Sequence, residues 1–182
     1  YEARAQYRKG DIAMARKLLG AAAASPASAD AGEYTAIGHA HIDLGWLWPI
    51  RETKRKGART YATALVNLNK YPDYIFGASQ AQLMDWIKTG YPDIFDGFKK
   101  AVADGRIELQ GSMWTENDCN LPSGESISRQ FVYGEEFFRR EFGKTSRMVW
   151  LPDVFGYPAS LPQIFKGCGK DYFMTIKLTW NT

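Results

Sequence analysis

The 182-residue chain is long enough for one domain with a sizeable core, and 45% hydrophobic with 24% charged residues is ordinary for a globular protein. A net charge of +3 is dispersed, and the one basic cluster, residues 51–56, is interrupted by Glu52 and reads as a solvated helix face, which argues against nucleic acid. Two distant cysteines, Cys119 and Cys168, give neither a disulfide framework nor a cysteine metal site, and no apolar run approaches the ~20 residues of a membrane span.

In chain order, residues 1–23 carry Ile12, Ala15, Leu18 and Leu19 at helical spacing and predict a helix that Gly10-Asp11 breaks or recaps. Residues 24–32 are a small-residue Ser/Pro linker, so a boundary is expected there, with an upstream helical segment in 1–32 and a second domain in 33–182. The first residue is not methionine and no signal peptide follows, so the chain is expected to start within a longer protein.

Five short apolar runs of strand type then recur at residues 34–38, 74–78, 107–111, 148–151 and 172–176. Helical stretches at 60–69, 81–89, 94–103, 126–142 and 161–166 separate them, the fourth opened by Ser123. Alternation of this kind predicts an α/β fold of parallel β/α units. Right-handed crossovers place the C-terminal ends of all strands on one rim, where such folds build active sites. The residues just past the five runs are chemically rich: His39 to Asp43, Ser79-Gln80, residues 113–118, Pro152-Asp153 and Lys177.

Both histidines of the chain lie in His39-Ala40-His41-Ile42-Asp43. On extended backbone, positions i, i+2 and i+4 share a face, so His39, His41 and Asp43 could converge. Imidazole and carboxylate suit zinc at a catalytic site; strand-end histidines satisfied by backbone are the alternative. Trp46 and Trp48 follow, and a division is expected, with Trp46 at the site and Trp48 in packing. Asp153 at the end of an apolar strand reads as a nucleophile or metal ligand, or else a helix cap. Glu116 and Asp118 read as sugar hydrogen-bonders or plain loop acids.

The stretch Gly38-His-Ala-His-Ile-Asp-Leu-Gly-Trp-Leu-Trp-Pro49 resembles the first active-site motif of the α-mannosidases of glycoside hydrolase family 38, and Trp150-Leu-Pro-Asp-Val-Phe-Gly156 resembles the motif holding their nucleophile. Residues 79–82, 120–125, 129–130, 161–164 and 177–181 are similar to the cytosolic and bacterial branch, and the resemblance runs from about residue 34 to 182. It implies the first part of a seven-stranded β/α barrel. It implies a zinc ion, or another divalent metal such as cobalt, held by His41, Asp43 and Asp153. His39 would be near the metal but not a ligand. Asp153 would also be the nucleophile of a retaining mechanism. Trp46 and Phe155 would shape the mannose pocket; Lys177, Glu116 and Gln80 are further substrate-binding candidates. The substrate would be a mannose-containing oligosaccharide, and branch likeness implies a cytoplasmic enzyme.

The same resemblance calls for a further histidine ligand and a carboxylic acid/base beyond residue 182. The chain would then depend on the remainder of a longer chain, and made alone it would be inactive and poorly stable, with unpaired strand edges. Oligomerisation stays open. Two other readings remain at this point: a metal-dependent polysaccharide deacetylase-like hydrolase, which would have no need of the 150–156 motif, and a mannose-binding fragment without catalysis.

Overall fold

The basic cluster at residues 51–56 lies inside the longest helix of the protein's computed structural model, which describes residues 1–26, 28 and 30–180. Ala27 and Ala29 of the expected linker, and Asn181 of the 177–181 motif, lie outside the described residues. The chain divides into two compact units, Tyr1–Ala36 and Ile37–Thr182.

The first unit holds α1, Glu2–Arg8, and α2, Ile12–Ala23. The break falls at Gly10, whose φ of 82° favours glycine, and Asp11 then caps α2 by accepting from Met14 N at 2.9 Å.

The second unit runs β1 (Gly38–His39), α3 (Ile50–Lys70), β2 (Phe76–Ala78), α4 (Ala81–Gly90), α5 (Pro92–Ala103), β3 (Ile107–Leu109), α6 (Gly124–Phe142), β4 (Met148–Trp150), α7 (Leu161–Gly167) and β5 (Tyr172–Met174), then a 3₁₀ turn, Lys177–Trp180. All strand pairs are parallel: β1-β2-β3 form one sheet and β4-β5 another. All five expected strands are present, each shorter than its apolar run. Pairing of β1 starts only where Gly38 N donates to Ile75 O at 2.9 Å. The β3 ladder ends because Gly111 (φ 90°) and Ser112 (φ 59°) turn left-handed. The Ser112 hydroxyl then donates to Ser146 O at 2.8 Å, a side-chain bridge between the two sheets.

Helix α3 starts ten residues before the expected helix. Its added turns form a polar surface: Arg55 and Arg59 reach Glu52, while Lys54 and Lys56 lie over Trp86 and Trp48. The buried side supports it, since a Cβ on Gly57 would stand 2.6 Å from Leu83 Cδ1, so the glycine lets α3 and α4 close on each other.

The larger core cluster joins α3, α4, α5, β2, β3 and the C-terminal half of α6, with Phe98, Met84, Phe138 and Ile107 essentially water-free. The second lies between β4, α7 and the N-terminal half of α6, around Val149, Leu151, Ile127 and Phe131. Burying each such side chain contributes roughly 1.5–3 kcal/mol. Among the described residues no helix is long and apolar enough to cross a membrane, and both cysteines are free.

Candidate metal and sugar site

The loops after β1, β2, β3 and β4 converge on a cleft of about 330 Å³ lined by His41, Asp43, Gln80, Glu116 and Asp153 among others. Each loop is fixed by local contacts. Past β1, Thr53 of α3 donates its hydroxyl to Asp43 O at 3.0 Å and accepts from Trp48 Nε1 at 2.9 Å. Thr53 is fully buried, so this clamp holds the backbone of Asp43 in place. Past β3, Trp114 N donates to Gln130 O at 2.9 Å, and Thr115 N donates to Gln130 Oε1 at 2.9 Å. Helix α6 comes close enough for this because of Gly134, where a Cβ would strike the backbone of Ser112 and Met113. Past β4, Tyr157 donates to Leu151 O at 2.8 Å.

At the centre is His41. Its Nε2 lies 3.3 Å from Asp43 Oδ1 and 3.6 Å from Asp153 Oδ2. Ligand atoms of His41, Asp43 and Asp153 all fall within 4.8 Å of one another. Donors bound ~2.0–2.2 Å from a tetrahedral zinc stand about 3.3–3.6 Å apart, so the imidazole–carboxylate spacings fit such an ion. One nitrogen and two carboxylate donors also suit zinc or cobalt chemically.

The other ring nitrogen, Nδ1, lies 2.8 Å from Glu116 Oε2. Glu116 raises the pKa of His41 from 6.5 to about 9, working against burial and helped by Asp43. In the metal-free protein the imidazole is therefore a cation at neutral pH. Lys177 Nζ reaches Asp153 Oδ1 at 2.6 Å and stands 4.6 Å over the Phe155 ring.

His39 is held apart from this group. Its Nδ1 donates to Gly77 O at 3.0 Å, and its Nε2 accepts from Trp150 Nε1 at 3.2 Å. With both nitrogens engaged, the three-residue convergence drawn from strand alternation reduces to two. Asp153 caps no helix, because α7 begins at Leu161 behind Ser160.

Trp46 and Phe155 present their rings to solvent at 66% and 76% exposure. Trp48 is half-buried against Trp46, with ring centroids 5.4 Å apart. Gln80 is buried, donating to Ile42 O at 2.8 Å and accepting from Glu116 N at 3.3 Å. Ser79 stands where the rim was expected, but its partner Glu116 is 37 residues away; the role of Thr53 had no signal in the sequence, because a lone hydroxyl residue carries no pattern.

Residues 31–182 match the family model described as the glycosyl hydrolases family 38 N-terminal domain. The chain is 49% identical over 146 residues to "Alpha-mannosidase 2C1" of Homo sapiens, covering 80% of this chain and 14% of that protein. It is 42% identical over 146 residues to "Alpha-mannosidase" of Saccharomyces cerevisiae, with the same two shares of 80% and 14%. Among solved structures, an alpha-mannosidase from Enterococcus faecalis V583 superimposes with a TM-score of 0.70 at 23% identity, over 76% of this chain and 16% of that one. A 4-alpha-glucanotransferase from Thermococcus litoralis follows at TM-score 0.59 and 18% identity, over 75% and 21%. Those two likenesses speak to fold alone.

Proposed function

The chain belongs to glycosyl hydrolase family 38, and on that premise we propose that it supplies the nucleophile and metal-binding side of a retaining α-mannosidase. The substrate class is oligosaccharide bearing terminal α-mannose. The observation that carries this reading is the convergence of His41, Asp43 and Asp153 on one point of the strand rim, with Lys177 on the free oxygen of Asp153.

His41, Asp43 and Asp153 would hold a zinc ion, which when bound contributes positive charge and a template for sugar hydroxyls. Asp153 attacks the anomeric carbon through a carboxylate oxygen, forming a mannosyl ester as the glycosidic C–O bond breaks. Lys177 fixes the rotamer of Asp153 by its contact with Oδ1. Trp46 and Phe155, exposed beside the carboxylates, offer faces on which a pyranose can stack.

The chain spans 14% of the length of the human and yeast relatives, so the acid that protonates the leaving oxygen and a further histidine ligand are assigned elsewhere in the protein. The same assignment extends the parallel β/α units into the remainder of a seven-stranded barrel. The fold lends support through His39 and Trp150, whose hydrogen bond brings β1 and β4 together. Residues 33–182 would then be barrel, and 1–32 the end of an upstream helical segment.

The test is trapping with an activated fluorinated mannoside, followed by peptide mapping. A mannosyl ester on Asp153 is expected. A label on any other carboxylate removes Asp153 from the nucleophile's role.

A further inference from the structure

We propose that Glu116 is a positioning residue for the metal, acting through His41, and not a hydrogen-bond partner of the sugar. The inference rests on the metal reading above and adds a residue to it. The Glu116 side chain is 5% exposed, which leaves it little surface to offer a substrate. Oε1 accepts from Ser79 Oγ at 2.6 Å. Oε2 is buried, makes no straight hydrogen bond, and faces His41 Nδ1 at 2.8 Å as an ion pair. A buried carboxylate oxygen placed this way costs free energy unless an opposite charge stabilises it, and the His41 imidazolium 2.8 Å away supplies that charge.

The placement has a chemical consequence. When an ion displaces the Nε2 proton, the remaining proton stays on Nδ1 toward Glu116, and the Nε2 lone pair faces Asp43 and Asp153, where the metal donors gather. A carboxylate behind a ligating histidine fixes its tautomer and ring orientation and makes it a stronger donor. Ser79, immediately past β2, holds the carboxylate from behind. Gln80, the next residue, joins the Glu116 backbone to the β1 loop through its two amide ends. Three strand ends are thereby wired to a single imidazole.

The experiment compares wild type with Glu116→Gln, Ser79→Ala and His41→Ala in the purified protein. Metal affinity is read by competition with a chromophoric chelator, the ligand field by the visible spectrum of the cobalt form, and kcat and KM at saturating zinc. Glu116→Gln is expected to weaken zinc binding about 10–100-fold and to shift the cobalt bands, with KM at saturating zinc nearly unchanged. Ser79→Ala should shift both in the same direction by less, and it carries the test if Glu116→Gln does not fold. Unaltered zinc affinity with a raised KM would make Glu116 a sugar contact and overturn the proposal. If His41→Ala also retains its zinc, the metal reading itself fails; if His41→Ala loses zinc while neither Glu116→Gln nor Ser79→Ala weakens it, only the role of Glu116 fails.

Discussion

Two contacts between a carboxylate and a cation lie at opposite ends of the strands, and they have opposite surroundings. Near the N-terminal ends of β4 and β5, Lys170 is 5% exposed. It donates to Glu135 Oε1 at 2.6 Å and to Ser146 O at 2.7 Å, and Ser146 N donates to the same carboxylate at 3.3 Å. The pair is one-to-one and sealed. At the C-terminal rim, His41 meets Glu116 at 2.8 Å, but Asp43 and Asp153 crowd its other nitrogen. Three carboxylates there face one imidazole and the Lys177 ammonium, beside an open cleft. The first arrangement has what a structural ion pair needs. The second carries excess acid in a place a cation can reach, which is the electrostatic form of a metal site.

Breaking the rim should abolish chemistry while leaving the fold. Asp153→Asn is expected to lower kcat by on the order of 10⁴-fold or more, as loss of a nucleophile does in other hydrolases. Its melting transition should stay near that of wild type, because Asp153 is partly exposed. Residual turnover within about tenfold of wild type would contradict the assignment.

Breaking the sealed pair should do the reverse. Glu135→Ala leaves Lys170 buried without its counter-charge and should cost about 3–5 kcal/mol of stability. Replacing both partners, Glu135→Leu with Lys170→Met, should recover most of that loss, because no buried charge remains unpaired. Denaturant melts measure both. A single variant as stable as the double would show that water reaches Lys170.

The two ends should also differ with pH. The folded pKa of His41, about 9, exceeds its ordinary 6.5. In metal-free protein the imidazole thus adds stability that is full below about 6.5 and disappears as pH rises through about 9. Metal binding has the opposite sign, since the ion takes the lone pair that the proton holds. Zinc affinity should rise roughly tenfold per pH unit up to the folded pKa. Affinity that stays flat between about pH 6 and 8 would mean that His41 gives up no proton to the metal.

Much of this contrast was legible in the sequence, though unevenly. The rim was readable because a strand's C-terminal end follows from alternation alone, and His41, Asp43 and Asp153 lie within a few residues of such ends. The limits of the strands were not. The β3 ladder, for one, stops at left-handed backbone at Gly111 and Ser112, which the apolar run through 107–111 conceals. The full reach of α3 was hidden because the buried side of its first turns is built from Thr53, Gly57 and Ala58, which make no apolar stripe. His39 shows the limit of spacing arguments most directly. Alternation puts it on the same side as His41, yet its partners Gly77 and Trp150 are 38 and 111 residues away. The sealed pair was invisible for the same reason: Glu135 in α6 and Lys170 in the turn before β5 are 35 residues apart.

The smallest expected effect comes from a group buried beneath the acidic rim. Tyr61 of α3 is 3% exposed, and among the described residues its hydroxyl has no hydrogen-bond partner. Burial drives its pKa upward, and the charge of Glu116 adds to the shift. Its ring is well placed, tilted against Phe98 at 4.8 Å between centroids, so packing accounts for an aromatic residue here without the hydroxyl. Tyr61→Phe keeps that ring and removes the unpaired oxygen, whose burial costs about 1–3 kcal/mol when nothing satisfies it. Part of that cost returns as lost van der Waals contact around the missing atom. The net expectation is a gain of about 1 kcal/mol in denaturant melts. Zinc affinity separates this from a role at the rim. If Tyr61 only packs, affinity should change by less than about twofold, whereas a hydroxyl supporting Glu116 would lower it with the same cobalt-band shift as Ser79→Ala. A stability loss above about 1 kcal/mol would show instead that the hydroxyl has a partner in solution, extending the acidic cluster one layer deeper toward α3.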